Sequence, residues 1–154
     1  MTTTNTTVNA NTYVQAGGAI INDNGYTVIN QLPLLPDPNS PGGGLTKLGG
    51  GTLTLTNLNL YTGPTFVGAG TLALSGGGSI AGGTNITVAG GATLDVSALS
   101  TPFSLGAGQT LSNSTVGAGI AGANDCSAGI VSLVYDGTNP VSYTHLTLPT
   151  ILRV

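Results

Sequence analysis

A short glycine-rich turn recurs five times in this chain, each time between two apolar residues and usually with Thr before the second. The copies are Val14-Gln15-Ala16-Gly17-Gly18-Ala19-Ile20, Leu48-Gly49-Gly50-Gly51-Thr52-Leu53, Val67-Gly68-Ala69-Gly70-Thr71-Leu72, Val88-Ala89-Gly90-Gly91-Ala92-Thr93-Leu94 and Leu105-Gly106-Ala107-Gly108-Gln109-Thr110-Leu111. From Leu53 onward the closing residues step by 19, 22 and 17 positions (72−53, 94−72, 111−94). The 33-residue gap before Leu53 holds a Pro-rich stretch, Pro33 to Pro41. Strand, glycine turn and strand repeating near every 20 residues is the mark of a stacked β-solenoid. No such unit buries its own apolar face, so each must lean on copies of itself.

Composition narrows the class. Two cations and five acids are the only formally charged residues, there is no Glu or Trp, and Gly alone supplies 26 of 154 positions. Scarcity of Lys, Glu, Arg and Gln removes most good helix formers. Disorder is the competitor for a Gly/Ser/Thr-rich chain, but low net charge and regularly spaced Leu, Val and Ile oppose it. Glycine costs roughly 0.5–1 kcal/mol per site relative to Ala on ordering, which a stack of coils offsets and a single coil does not. With Lys47 and Arg153 as the only cations and a net charge of −3, no basic surface exists to track phosphates, and nucleic acid is excluded as a partner. Every apolar run is broken well short of the roughly 20 residues a spanning helix needs. The start, Met1-Thr2-Thr3-Thr4-Asn5, has neither the basic region nor the apolar core of a signal peptide. Either the protein stays inside, or this is an internal fragment whose export signal lies upstream. A single Cys126 allows no internal disulfide, and no basic neighbour in sequence activates it.

Along the chain, apolar and polar residues alternate from about Thr7 to Ile29 around the turn Asn22-Asp23-Asn24-Gly25, and Tyr26-Thr27-Val28-Ile29 resumes a strand. Residues from about 31 to 44 carry too much proline for a central strand and read as a loop insertion. Thr52-Leu53-Thr54-Leu55, Thr65-Phe66-Val67, Thr71-Leu72-Ala73-Leu74, Asn85-Ile86-Thr87-Val88 and Thr93-Leu94-Asp95-Val96 read as strands, with Asn57 to Pro64 as a corner. Phe103-Ser104-Leu105 and Gln109-Thr110-Leu111 repeat the arrangement, and Ile130 to Val134 is one more strand. Period-two alternation places Leu53 and Leu55, Leu72 and Leu74, and Leu94 and Val96 on one face, to be stacked about 4.8 Å apart in columns. Leu53, Leu72, Leu94 and Leu111 are the expected equivalent inward positions. Thr and Asn form ladders on the outside.

The run Gly44-Leu45-Thr46-Lys47-Leu48-Gly49-Gly50-Gly51-Thr52-Leu53-Thr54-Leu55-Thr56, then Asn59-Leu60-Tyr61-Thr62-Gly63-Pro64-Thr65 and Val67-Gly68-Ala69-Gly70-Thr71-Leu72, resembles the autotransporter-associated β-strand repeat, also called the passenger-associated transport repeat. The best match spans 43–74, with Asn57 in place of a usual Gly and Leu60 in place of a small polar residue. Flanking coils extend the likeness from Val14 to Leu111. The repeat positions it marks are Leu45, Thr46, Lys47, Gly49, Gly51, Thr52, Leu53 and Leu55, then Asn59, Tyr61, Thr62, Gly63, Thr65, Val67, Gly70, Thr71 and Leu72. The resemblance implies an all-β fold, a right-handed parallel β-helix of about five to six coils over 1–140. It also implies a large exported bacterial surface protein, extracellular or at the cell surface, in which neighbouring coils are the repeat's partners. It brings no catalytic residue.

The tail 141–154 reads differently. Val141-Ser142-Tyr143-Thr144-His145-Leu146 can be encoded by GTC TCT TAT ACA CAT CT, a string resembling a transposon-end adapter of sequencing libraries. The tail contains no Gly and holds the chain's one His and its one Arg. Adapter read-through is the expectation, a native terminal strand the alternative.

No active site emerges. Asp23, Asp37, Asp95, Asp125 and Asp136 fall on different coils beside turn residues, whereas a glycosidase needs two carboxyls roughly 5–10 Å apart. Gly90-Gly91-Ala92-Thr93-Leu94-Asp95-Val96 is a lone, incomplete relative of the calcium-binding nonapeptide. Gly117-Ala118-Gly119-Ile120-Ala121-Gly122 fits G-x-G-x-x-G, but no helix-forming segment follows. Lys47 is expected at a coil corner rather than in a site. No catalytic, cofactor-binding or metal-ligating residue is assigned, and no cofactor. Two functions remain: a structural stalk, or a glycan- or host-binding surface on which Tyr13, Tyr26, Tyr61 and Tyr135 offer stacking faces. A cluster of exposed tyrosines on one side would favour binding.

Overall fold

The computed structural model describes residues 12–114, 118–122, 124–125, 130–132 and 146–147, and every regular element among them is a β-strand. Strands are short because glycine turns cut the apolar alternation every few residues, and each turn swings the chain onto the next wall of a three-walled tube. Coil one is β1 (Thr12–Val14), β2 (Ala19–Asn22) and β3 (Thr27–Asn30), and coil two is β4 (Leu34–Pro36), β5 (Leu45–Leu48) and β6 (Thr52–Leu55). Coil three runs through 58–61, then β7 (Thr65–Val67) and β8 (Thr71–Gly76). Coil four runs through 79–80, then β9 (Asn85–Val88) and β10 (Thr93–Leu99). Coil five is β11 (Phe103–Ser104), β12 (Thr110–Asn113) and β13 (Gly119–Ala121). Beyond it lie β14 (Asn124–Asp125), β15 (Ile130–Ser132) and β16 (Leu146–Thr147).

All pairing is parallel, and each strand pairs with its counterpart one coil away. The second wall is the sheet β15-β12-β9-β7-β5-β2 and the third is β13-β10-β8-β6-β3. The first wall is interrupted: β1 pairs with β4, β11 with β14 and β14 with β16, while a lone Leu58–Ser79 bridge links coils three and four. Ile20, Thr46, Phe66, Thr87, Ser112 and Ser132 are successive partners, giving steps of 26, 20, 21, 25 and 20 residues. On the third wall Val28, Leu53, Leu72, Leu94 and Ile120 form one inward column. Leu53, Leu55, Leu72, Leu74 and Leu94 are wholly buried, and with Leu45, Val67, Ile80, Ile86 and Leu111 they fill the tube. Among the described residues no helix is long and apolar enough to cross a membrane.

Three expectations change. The five turn copies lie at two different corners: those closing at Leu53, Leu72 and Leu94 join the second wall to the third, while those closing at Ile20 and Leu111 join the first to the second. Leu111 therefore leaves the Leu53 column and stacks on Ile86, and Ile20 points outward, 69 % exposed, with Ala19 taking the inward place. The loop expected over 31–44 is narrower. Leu34–Pro36 is a strand on β1, with Leu34 buried and its carbonyl accepting N–H bonds from Leu60 and Tyr61. Proline is tolerated because Pro33 precedes the strand and Pro36 ends it, where no ladder N–H is missed. The expected corner from Asn57 to Pro64 is instead the first wall of coil three, with Asn59 and Tyr61 turned inward. The expected strand residues Leu133 and Val134 lie outside the described residues, as does the tail except Leu146–Thr147.

Candidate functional site

The most unusual chemistry lies inside the tube. Alternation along β5 turns Leu45 in, Thr46 out and Lys47 in, so Lys47 occupies an inward column with Ile21, Val67 and Val88. It is completely buried, at the inner side of the coil corner where it was expected. Its Nζ reaches the corner from within, donating to the carbonyls of Leu48 (3.1 Å), Gly49 (2.8 Å) and Ala69 (3.0 Å). Asp23 closes the site: its Oδ2 is 2.6 Å from Nζ, and both side chains are fully shielded from solvent. Oδ2 has no partner other than this ammonium, so the link is a buried ion pair. Oδ1 accepts the N–H groups of Gly25 and Gly51, each at 2.9 Å. Burial opposes ionisation of Asp23. The Lys47 ammonium and the two backbone donors outweigh it and hold the carboxyl below its ordinary pKa. One clasp thus joins coil one (Asp23), coil two (Lys47, Gly51) and coil three (Ala69).

Other buried polar groups work the same way. Asn59 Oδ1 accepts from Leu34 N–H (3.0 Å), and its Nδ2 donates to Asn57 O (2.9 Å) and Ser79 O (3.0 Å), linking coils two, three and four. Gln109 Nε2 donates to Ile80 O (3.2 Å) and Gly83 O (3.0 Å), linking coils four and five. Tyr61 is buried, with its hydroxyl 2.6 Å from Thr65 Oγ1. Burial pushes its pKa up to about 12, against the opposing hydrogen bond. At the corners the backbones nearly touch: a Cβ on Gly44 would overlap Pro64 O, and one on Gly51 would overlap Tyr26 O. These same contacts carry the coil-to-coil bonds Leu45 N–H to Pro64 O and Thr52 N–H to Tyr26 O.

The repeat positions named from sequence are distributed as follows. Leu45, Leu53, Leu55, Val67 and Leu72 line the core; Lys47, Asn59, Tyr61 and Thr65 are the buried polar members. Gly49, Gly51, Gly63 and Gly70 sit at corners against neighbouring backbone or, for Gly49, against Asp23 and Asn22. Thr46, Thr52 and Thr71 face outward, half-buried, and Thr62 is exposed. The clasp was missed because the turn pattern aligns Leu48 with Val67, whereas the ladder aligns Lys47 with Val67. Parity with Leu45 was the signal that could have found it.

The residues considered for catalysis do not converge. Asp37 accepts from Gln15 and Asn39, and Asp95 from Ser97, on separate coils. The side chains of Asp125, Cys126, Asp136, His145 and Arg153 lie outside the described residues. Among those described, no three His, Cys, Asp or Glu side chains gather to hold a metal. Gly119–Ala121 of the G-x-G-x-x-G stretch is strand β13. A half-open cleft of about 250 Å³ between Gly76–Ser79 and Leu99–Ser104 is lined by no charged side chain. Tyr13 and Tyr26 are exposed and Tyr61 is buried, while Tyr135 lies outside the described residues, so among the described residues no row of the expected tyrosines is displayed.

Comparison with known families gives two overlapping matches to the passenger-associated-transport-repeat, over residues 45–74 and 67–96. Together they run from β5 to Val96 in β10. No curated protein and no solved structure matches the chain.

Proposed function

We propose that this chain, whose residues 45–96 match the passenger-associated-transport-repeat, is a non-catalytic stalk segment of an exported bacterial surface protein of the autotransporter type. The observation that carries the reading is the use of its buried polar groups. Lys47, Asp23, Asn59 and Gln109 each make at least one hydrogen bond or ion pair to a neighbouring coil. Such chemistry holds a rod together and occupies these four side chains with coil-to-coil bonding. Outward Thr46, Thr52, Thr54 and Thr71, and Asp37 and Asp95 set on separate coils among the described residues, agree with a spacer. The test is display: the chain is placed between a cleaved export signal and an outer-membrane barrel in a Gram-negative host. Surface exposure to added protease at the level of a known passenger is the expected result. Retention in the periplasm, while that passenger is displayed normally, would refute it.

A further inference from the structure

The apolar columns leave one question of register open. A one-residue slip between strands turns the inward set outward, but a two-residue slip restores inward and outward faces. β6 offers two equivalent buried hosts, Leu53 and Leu55. Against them β3 brings Val28, 37 % exposed, and Asn30 opposite Leu55. β2 adds only Ala19 and Ile21, both half-buried. β6 and β8, by contrast, each bring two wholly buried leucines. On the first wall Val14 is the one fully buried apolar side chain of coil one, set opposite Pro36, so coil one has little apolar content to tell one register from the next. The connection does not decide either, since the step from coil one to coil two is 26 residues and includes the excursion from Asp37 to Gly42.

We propose that the Asp23–Lys47 pair is the register lock of coil one on coil two. The ammonium is already seated by coils two and three, through the carbonyls of Leu48, Gly49 and Ala69. Coil one supplies the single counter-charge, and Asp23 also takes Gly51 N–H. A two-residue slip carries Asp23 about 6.6 Å along the strand. It then loses both Nζ and Gly51 N–H and leaves a buried ammonium uncompensated, a penalty leucines do not impose. Fixing register is the best-attested use of a buried ionic group.

Cysteine pairing reads the register directly, in a Cys126→Ser background so that the introduced thiols are the only ones. Ile29→Cys with Thr54→Cys joins partners of the observed ladder, both facing outward. Thr27→Cys with Thr54→Cys, and Ile29→Cys with Thr52→Cys, become partners only after a two-residue slip. In the observed register their Cα atoms are about 8 Å apart, beyond disulfide reach. With Asp23 present, the ladder pair should oxidise at least tenfold more fully than either slipped pair. Asp23→Asn keeps an oxygen for the Gly25 and Gly51 N–H groups but removes the charge. It should raise a slipped-pair yield several-fold while amides of β8 and β10 stay protected from exchange. Unchanged cross-linking in Asp23→Asn would overturn the proposal. Loss of protection throughout β8 and β10 would overturn it too, because the pair would then carry overall stability rather than register.

Discussion

Lys47 stands where its column otherwise holds Ile21, Val67 and Val88, and its charge is tolerated because four oxygens surround it. Removing one member of such a pair is costly because the other stays buried and unmatched. Lys47→Ala should lower stability by about 3–5 kcal/mol, whereas Thr46→Ala, its outward neighbour, should cost under about 1 kcal/mol; urea denaturation of both variants checks this. The pair also fixes a pH dependence. Asp23 titrates below its ordinary value in the folded state. Its contribution is therefore complete above the unfolded value of about 3.9 and is lost as pH falls through the lower folded value. Urea midpoints followed from neutral pH downward should drop in that acid window, and Asp23→Asn should remove part of the drop. Tyr61 acts at the other end. With its folded pKa raised to about 12, the folded state holds the phenol proton more tightly than the unfolded chain. Its contribution is complete below about pH 10 and disappears as pH rises through the folded value. Tyr61→Phe should flatten that alkaline loss, as read from thermal unfolding across the same range.

At the scale of strands and turns, glycine is required where coils touch and dispensable where they do not. A Cβ on Gly51 would overlap Tyr26 O, while one on Gly50, in the same turn, would meet nothing within 4 Å. Gly51→Ala should therefore destabilise by more than about 1 kcal/mol, and Gly50→Ala should be neutral or stabilising by up to about 1 kcal/mol; paired thermal melts separate the two. Strand identity was legible in the sequence for a related reason. Thr52-Leu53-Thr54-Leu55 and Thr71-Leu72-Ala73-Leu74 are flanked by glycine turns, and alternation alone assigns their faces. Wall identity was not legible. The turns before Leu94 and before Leu111 are both Gly/Ala-rich and both end in Thr-Leu, differing chiefly at Gln109, and the ladder shows that they occupy different corners. The first wall was hidden because its residues in coil three bury polar side chains: Asn59 through partners on coils two and four, and Tyr61 through Thr65 on the next wall of its own coil. Local sequence carries no trace of a partner 25 residues away.

Taken as a whole, the molecule is a stack in which each strand touches its counterparts above and below, and stability should spread by nearest neighbours. Leu53, Leu72 and Leu94 are consecutive members of one inward column, all wholly buried. Each truncation to Ala should cost about 2–5 kcal/mol. The direct test of the stacked architecture is the coupling between pairs of these truncations, measured by denaturant unfolding of singles and doubles. Leu53→Ala with Leu72→Ala, and Leu72→Ala with Leu94→Ala, should be coupled by about 0.5–3 kcal/mol, while Leu53→Ala with Leu94→Ala, separated by a full coil, should add within about 0.5 kcal/mol. Equal coupling for all three pairs, or strict additivity for all three, would contradict the stack.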